Sequence, residues 1–331
     1  MLSEFRHLRE RTMKRPIPVL IALAMTATAL PQGASAETIA VFTKNTTNPF
    51  SKAIRTGSDF AAKKLSIDVS HYVPTTPDNA AEQTKLVDDA IVKKPDLIVF
   101  DPVENQKMVP AIEKINAANI PAIEITDRAE GGKFVSTVLP DDYQLGLATA
   151  RRLFKALDGK GNVVILEGIP TTTSSIERVK GFNDAIKEFP AAKLLASKSG
   201  NYQRRPSQDA MEGWIRQFPQ IDGVLAANDS MAAAAVETLE KRSRKAVVVG
   251  INGSKEAIDL IRADRMLATG EFNGFVIGCL AVEIAARNLR KQEVPKELVV
   301  KPAIYDKANY QQYEARAEMR ECPTLEEELK N

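Results

Sequence analysis

Histidine, cysteine and tryptophan are scarce in this chain, numbering two, two and one among 331 residues. One histidine lies in the basic leading segment, so Cys279, Cys322 and His71 are all that could seed a thiolate or imidazole metal site. Three such residues fall short of the four-ligand sets that hold structural zinc, and no metal is expected. Glycine signatures are missing too. No GxGxxG turn, GxxxxGK[ST] loop or GxSxG elbow occurs, which removes dinucleotide binding, phosphate cradling and serine-hydrolase chemistry. No cofactor is expected, and any acid–base catalysis would have to run on carboxylates. An enzyme is therefore the weaker alternative.

Long apolar runs are also absent. The best, at 17–30, is too short and too rich in Ala and Thr for a good membrane span. It follows Arg6, Arg9, Arg11, Lys14 and Arg15 and precedes Ala34-Ser35-Ala36, the pattern of a secretory signal cleaved after Ala36. Translation could start at Met1 or Met13. No cysteine follows the cleavage point, so no lipid anchor is indicated, and a soluble exported protein without membrane insertion is expected. The formal charge of +2 belongs to this leader, which holds five Lys/Arg and two Asp/Glu. Without it the chain is close to neutral, and nothing in it asks for nucleic acid. In an oxidising compartment Cys279 and Cys322 could pair; the sequence leaves that open.

What remains is an ordinary globular composition, 44% hydrophobic and 27% charged, long enough for two domains. Short apolar runs at 39–43, 67–72, 97–100, 122–125 and 134–138 alternate with helical patterns. A second set follows at 163–166, 194–197, 223–226, 246–249 and 267–269, with a further run at 298–300 and a polar tail. Strand–helix alternation with short connections gives right-handed crossovers and mainly parallel sheets. The fold class is α/β, with two Rossmann-like lobes and no low-complexity linker between them.

The runs end in hydrogen-bonding chemistry. Lys44, Asn48 and Phe50 follow the first, Asp101 the third, and Asp127-Arg128 the fourth. In the second set Asn228 follows one run, Asn252 another, and Glu271-Phe272 the last; Arg178 and Tyr202 stand on the helix and loop between. Ligands of open parallel sheets bind outside the carboxyl ends of the strands. Each residue alone has a plain reading as a turn, a helix cap or a solvated charge. Their recurrence at strand ends carries the argument.

The segments Thr47-Asn-Pro-Phe50, Pro95-Asp-Leu-Ile-Val-Phe-Asp-Pro102, Ile123-Glu-Ile-Thr-Asp-Arg128, Glu177-Arg-Val-Lys-Gly-Phe182, Ile221-Asp-Gly-Val-Leu-Ala-Ala-Asn-Asp229 and Val247-Val-Val-Gly-Ile-Asn-Gly253 occur in this order. Together they resemble the periplasmic sugar-binding proteins of ABC importers, in the branch of the ribose-binding protein and the lac-repressor-type ligand domain. The resemblance implies the type I periplasmic binding protein fold with a three-segment hinge near 139–141, 272–274 and 299–302. The lobes would be 37–140 plus 273–299, and 141–272 plus 300–331. It implies a small sugar or polyol as ligand and ABC permease subunits as partners. A receptor for a chemotaxis or sensor-kinase protein would share the fold, and an exported carbohydrate-acting enzyme is the weaker alternative. A sugar-responsive transcription regulator would need a DNA-binding module where the export signal stands.

Lys44, Asn48, Phe50, Asp101, Asp127, Arg128, Arg178, Tyr202, Asn228, Asn252, Glu271 and Phe272 are the expected ligand contacts. Three departures from the ribose pattern point to a related pentose, branched sugar or polyol. Ser51 follows Phe50 where a second aromatic is usual, Asn252 replaces an Asp, and Glu271-Phe-Asn273 stands where a Gln is usual. Cations at 44, 128 and 178 nearly balance carboxylates at 101, 127 and 271, which favours a neutral ligand, although Lys44 leaves room for a sugar acid. Read as a binding residue only, Arg178 should be replaceable by alanine at no cost to the ligand-free fold.

Overall fold

The computed structural model describes residues 36–313 and 321–330. All of the expected signal segment 1–36 but its last residue lies outside them. Two six-stranded sheets form the molecule. The first takes β1 (Thr38–Phe42), β2 (Asp68–Tyr72), β3 (Leu97–Phe100), β4 (Ala122–Ile125), β5 (Ser136–Pro140) and β11 (Glu297–Val300), in the order β11-β5-β4-β3-β1-β2. The second takes β6 (Lys160–Glu167), β7 (Ala191–Ser199), β8 (Gly223–Ala226), β9 (Val247–Ile251), β10 (Ala268–Glu271) and β12 (Ala303–Asp306), in the order β12-β10-β9-β8-β6-β7. All pairings are parallel except β10 with β12. The two lobes thus repeat one strand order.

The continuous apolar runs have a direct cause. A parallel strand covered on both faces needs apolar side chains on both. Ile39, Val41, Leu97 and Val99 point into one core, while Ala40, Phe42, Ile98 and Phe100 point into the other. Helices α1 (Pro49–Leu65) and α9 (Gly274–Leu289) pack together on one side of the first sheet; α2 (Ala80–Lys93) and α3 (Val109–Ala117) pack together elsewhere on that lobe. In the second lobe α4 (Asp142–Ala156) packs on α5 (Thr173–Glu188), and α6 (Arg204–Gln217) packs on α7 (Asp229–Lys241), which also meets α8 (Lys255–Arg262).

The chain passes between the sheets three times: from β5 into α4, from β10 into α9, and from β11 into β12. Two elements here have no counterpart in the sequence reading. Helix α8 is only eight residues long, and β12 is a four-residue strand stabilised by antiparallel pairing to β10, which no local pattern announces. The tail also departs from its expected place in the second lobe. Cys322 is bonded to Cys279 of α9, the Leu325 N–H donates to Glu283 of the same helix, and Leu325 is buried. Residues 321–330 therefore dock on the first lobe. The open question of cysteine pairing is answered by this disulfide.

Candidate functional site

Polar residues that end the strands here do two jobs. Asn48 Oδ1 accepts the Phe50 N–H at the start of α1, and Asn228 Oδ1 accepts the Met231 N–H at the start of α7. These are N-cap bonds, which satisfy donors that a helix cannot satisfy internally. The same side chains line a cavity of about 410 Å3, its open mouth included, between the carboxyl edges of the two sheets.

Lys44 enters from the first lobe with its side chain 13% exposed. Its Nζ pairs with Asp127 and lies 3.4 Å from Asp101 Oδ1. Burial pulls the ammonium pKa down, but the two carboxylates outweigh burial and raise it, so the lysine stays charged. Asp101 is sealed behind it, and burial pushes its pKa up to about 7 despite Lys44 and a hydrogen bond from Thr126. Asp127 Oδ1 accepts the Ser174 N–H of the second lobe at 2.6 Å, and the Ser174 hydroxyl reaches Asp127 Oδ2 at 3.1 Å.

Arg178 provides the cation of the second lobe. Its Nε donates to Asp142 Oδ1 at 2.7 Å and its Nη1 to the Ala227 carbonyl at 2.8 Å. Burial raises the Asp142 pKa to about 6, with Arg178 opposing the shift. Gly146 of α4 makes room for this arrangement, because a Cβ there would lie 2.3 Å from the Arg178 carbonyl oxygen. Gly168 likewise admits Tyr202, since a Cβ there would fall 2.1 Å from the phenol ring. The Tyr202 hydroxyl meets Ser174 Oγ at 2.9 Å, and its carbonyl accepts from Asn228 Nδ2 at 3.2 Å.

Flat apolar surface comes from Phe50 and Phe272, stacked with centroids 4.2 Å apart, and the Arg178 guanidinium lies 5.1 Å from the Phe272 centroid. Four lining residues, Asp78, Thr126, Tyr202 and Asn252, have positive φ of 59°, 66°, 59° and 139°. Such backbone costs energy in a non-glycine residue and gathers at functional sites.

Nine of the twelve residues singled out in the sequence line this cavity: Lys44, Asn48, Phe50, Asp127, Arg178, Tyr202, Asn228, Asn252 and Phe272. Arg128 does not join them. Its side chain is 46% exposed and pairs with Glu297 at 2.7 Å, so the cation expected there belongs to an ion pair outside the cavity. Asp101 is displaced to a supporting position by Lys44, which covers it. Glu271 is buried, accepting from Asn273 Nδ2 at 2.8 Å and from the Tyr305 hydroxyl at 2.9 Å. Neither residue lines the cavity. Asn45, Ser51, Asp78, Thr126 and Ser174 do, and none of them is among the twelve expected contacts. Asp78 follows β2 as the others follow their strands, so the same strand-end rule would have found it. Among the described residues no cluster of metal-ligating side chains occurs.

A sequence profile of the periplasmic binding protein domain matches residues 39–293. The chain belongs to the periplasmic binding protein family. Among its relatives, the D-apiose import binding protein of Paraburkholderia graminis is 30% identical over 303 residues, covering 90% of this chain and 96% of the relative. The xylitol-binding protein of Mycolicibacterium smegmatis is 30% identical over 251 residues, covering 75% and 71%. The crystal structure of an ABC transporter periplasmic solute binding protein from Actinobacillus succinogenes with bound D-allose is 31% identical, covering 84% of this chain and 100% of that one, with a TM-score of 0.80. The matching periplasmic binding protein structure and the repeated strand order describe one architecture, two α/β lobes joined by three crossings.

Proposed function

We propose that this chain is an exported receptor that captures a small neutral sugar or polyol between its lobes and presents the closed form to the permease subunits of an ABC importer. The observation that carries the reading is charge compensation inside the cavity. Lys44 already faces Asp127, and Arg178 already faces Asp142, so each cation has its carboxylate before any ligand arrives. A charged guest would have to unbalance a buried pair, whereas hydroxyl groups can add hydrogen bonds to both members. Amides at Asn48, Asn228 and Asn252 both donate and accept, as vicinal hydroxyls require. Phe50 and Phe272 present apolar surface to the C–H side of a ring.

Relatives named for apiose, a branched pentose, and xylitol, a polyol, support a guest of those classes, and the structure holding allose, a hexose, supports a neutral sugar more broadly. Binding here is non-catalytic, and the leader cleaved after Ala36 takes the protein to the periplasm. A handful of hydrogen bonds to charged groups, at about 1.5–3 kcal/mol each less ordering costs, is enough for micromolar affinity. The test is calorimetric titration of the purified protein with D-apiose, D-ribose, D-allose, xylitol, myo-inositol and the matching sugar acids. Micromolar binding of a neutral member is expected. Tight binding confined to the acids would overturn the reading, as would turnover of a bound sugar.

A further inference from the structure

Asn105 lies outside the cavity, on the loop between β3 and α3 of the first lobe, and is buried. Every partner of its amide across the cleft sits at the start of α5 in the second lobe. In the amide orientation that suits all its neighbours, Oδ1 accepts the Thr173 N–H at 3.2 Å and the Thr173 hydroxyl at 3.0 Å. Its Nδ2 donates to the Thr171 carbonyl at 3.3 Å and, within its own lobe, to the Arg128 carbonyl at 3.0 Å. The Asn105 main-chain N–H also reaches the Thr171 carbonyl at 3.4 Å. One residue on, Asp127 takes the Ser174 N–H. The first N–H groups of a helix have no partner inside it, and two of those of α5 are therefore satisfied from the opposite lobe.

From this we infer that Asn105 is a positioning residue that sets the affinity for every ligand without choosing among ligands. It acts by capping α5 across the cleft in the closed form only. The inference rests on the proposed function, in which the lobes open and close around a guest. Separating the lobes hands the Thr173 and Ser174 donors to water, so the Asn105 contact adds a constant increment to closure whatever fills the cavity. Arg178 and Ser174 ride on the same helix, and the contact seats both against the first lobe. Apparent affinity scales with the fraction of molecules in the binding-competent form, so a shift toward the open form weakens all ligands by one factor.

The experiment compares Asn105→Ala, Thr173→Val and Thr173→Ser with the wild type, using D-apiose, D-ribose, D-allose and xylitol as probes. Asn105→Ala and Thr173→Val should each raise Kd by roughly ten-fold, by the same factor for every probe that binds and through faster dissociation. Thr173→Ser, which keeps the hydroxyl, should stay near wild type. Wild-type affinity in Asn105→Ala, or factors that differ between probes, would overturn the assignment. If the wild type binds none of the four, the functional reading fails for those sugars and Asn105 is judged on ligand-free protein by small-angle scattering. A larger radius of gyration for Asn105→Ala supports the contact as a clasp, and equal radii overturn it.

Discussion

Arg178 Nε and Asp142 Oδ1 lie 2.7 Å apart with both side chains almost sealed from water. This pair revises what the sequence suggests for Arg178, which looks there like a residue that only binding would miss. Removing one member of a buried ion pair strands the other charge, at a cost of about 3–5 kcal/mol. Arg178→Ala should therefore abolish sugar binding and also lower the ligand-free melting temperature by several degrees. Asp142→Leu combined with Arg178→Met should regain most of the stability and none of the binding. Thermal denaturation and titration calorimetry of the three proteins check this, and an unchanged melting temperature in Arg178→Ala would show that the pair contributes nothing to the fold.

Phe50 stacks on Phe272 at the cavity wall. Phe50 is half-buried, and its removal takes away apolar surface without opening the main core. Phe50→Ala should weaken sugar binding about ten-fold, matching the ~0.5–1.5 kcal/mol of an aromatic contact, with little loss of ligand-free stability. Phe50→Leu should fall between. Equal affinities for the three proteins would remove the ring from the binding account.

Asp101 makes the protein sensitive to pH. Burial pushes its pKa up to about 7 from an ordinary value of 3.8, so the folded state holds this proton more tightly than the unfolded chain does. That contribution is fully present below about pH 4 and is lost as the pH rises through about 7. Asp142 and Asp229, both raised to about 6 by burial, act in the same direction. Asp101→Asn mimics the protonated form. Its melting temperature relative to wild type should climb between pH 5 and pH 8, and a flat difference across that range would contradict the assignment.

The Cys279–Cys322 bond closes a ring with a sequence separation of 43. A ring of that size restricts the unfolded chain by about 4 kcal/mol in the chain-entropy account. Reduction, or replacement of both cysteines by serine, should lower the melting temperature while leaving sugar affinity within about two-fold, since neither sulfur lines the cavity. Denaturant titration of oxidised and reduced protein measures the difference.

The strands were legible wherever both faces are buried. LIVF at 97–100 and GVLA at 223–226 have no polar position to blur their ends, and their bounds agree with the structure. Elements held by distant partners were not legible. β12 depends on antiparallel pairing with β10, and residues 321–330 depend on a disulfide and on Glu283. Within the site, the strand-end rule located amides and aromatics because they also start helices, as Asn48 and Asn228 do. It misjudged Arg128 because adjacent residues in a loop leave in different directions. Asp127 turns into the cavity while its neighbour turns to Glu297. Ser174 was missed since its role comes from where α5 meets the other lobe, a relation between residues 47 positions apart.

Helix α9 carries a practical consequence for engineering. Glu37, just before β1, is held by Arg290 at the end of that helix, and Leu325 is held by Glu283 seven residues earlier. Two ends of the fold are thus moored about 10 Å apart on one rod. A short polar peptide could join them, and new ends could be cut into a surface turn of the second lobe. Such a circular permutant would place a fluorescent reporter on the second lobe, turning the receptor into a sugar sensor with the first lobe left intact.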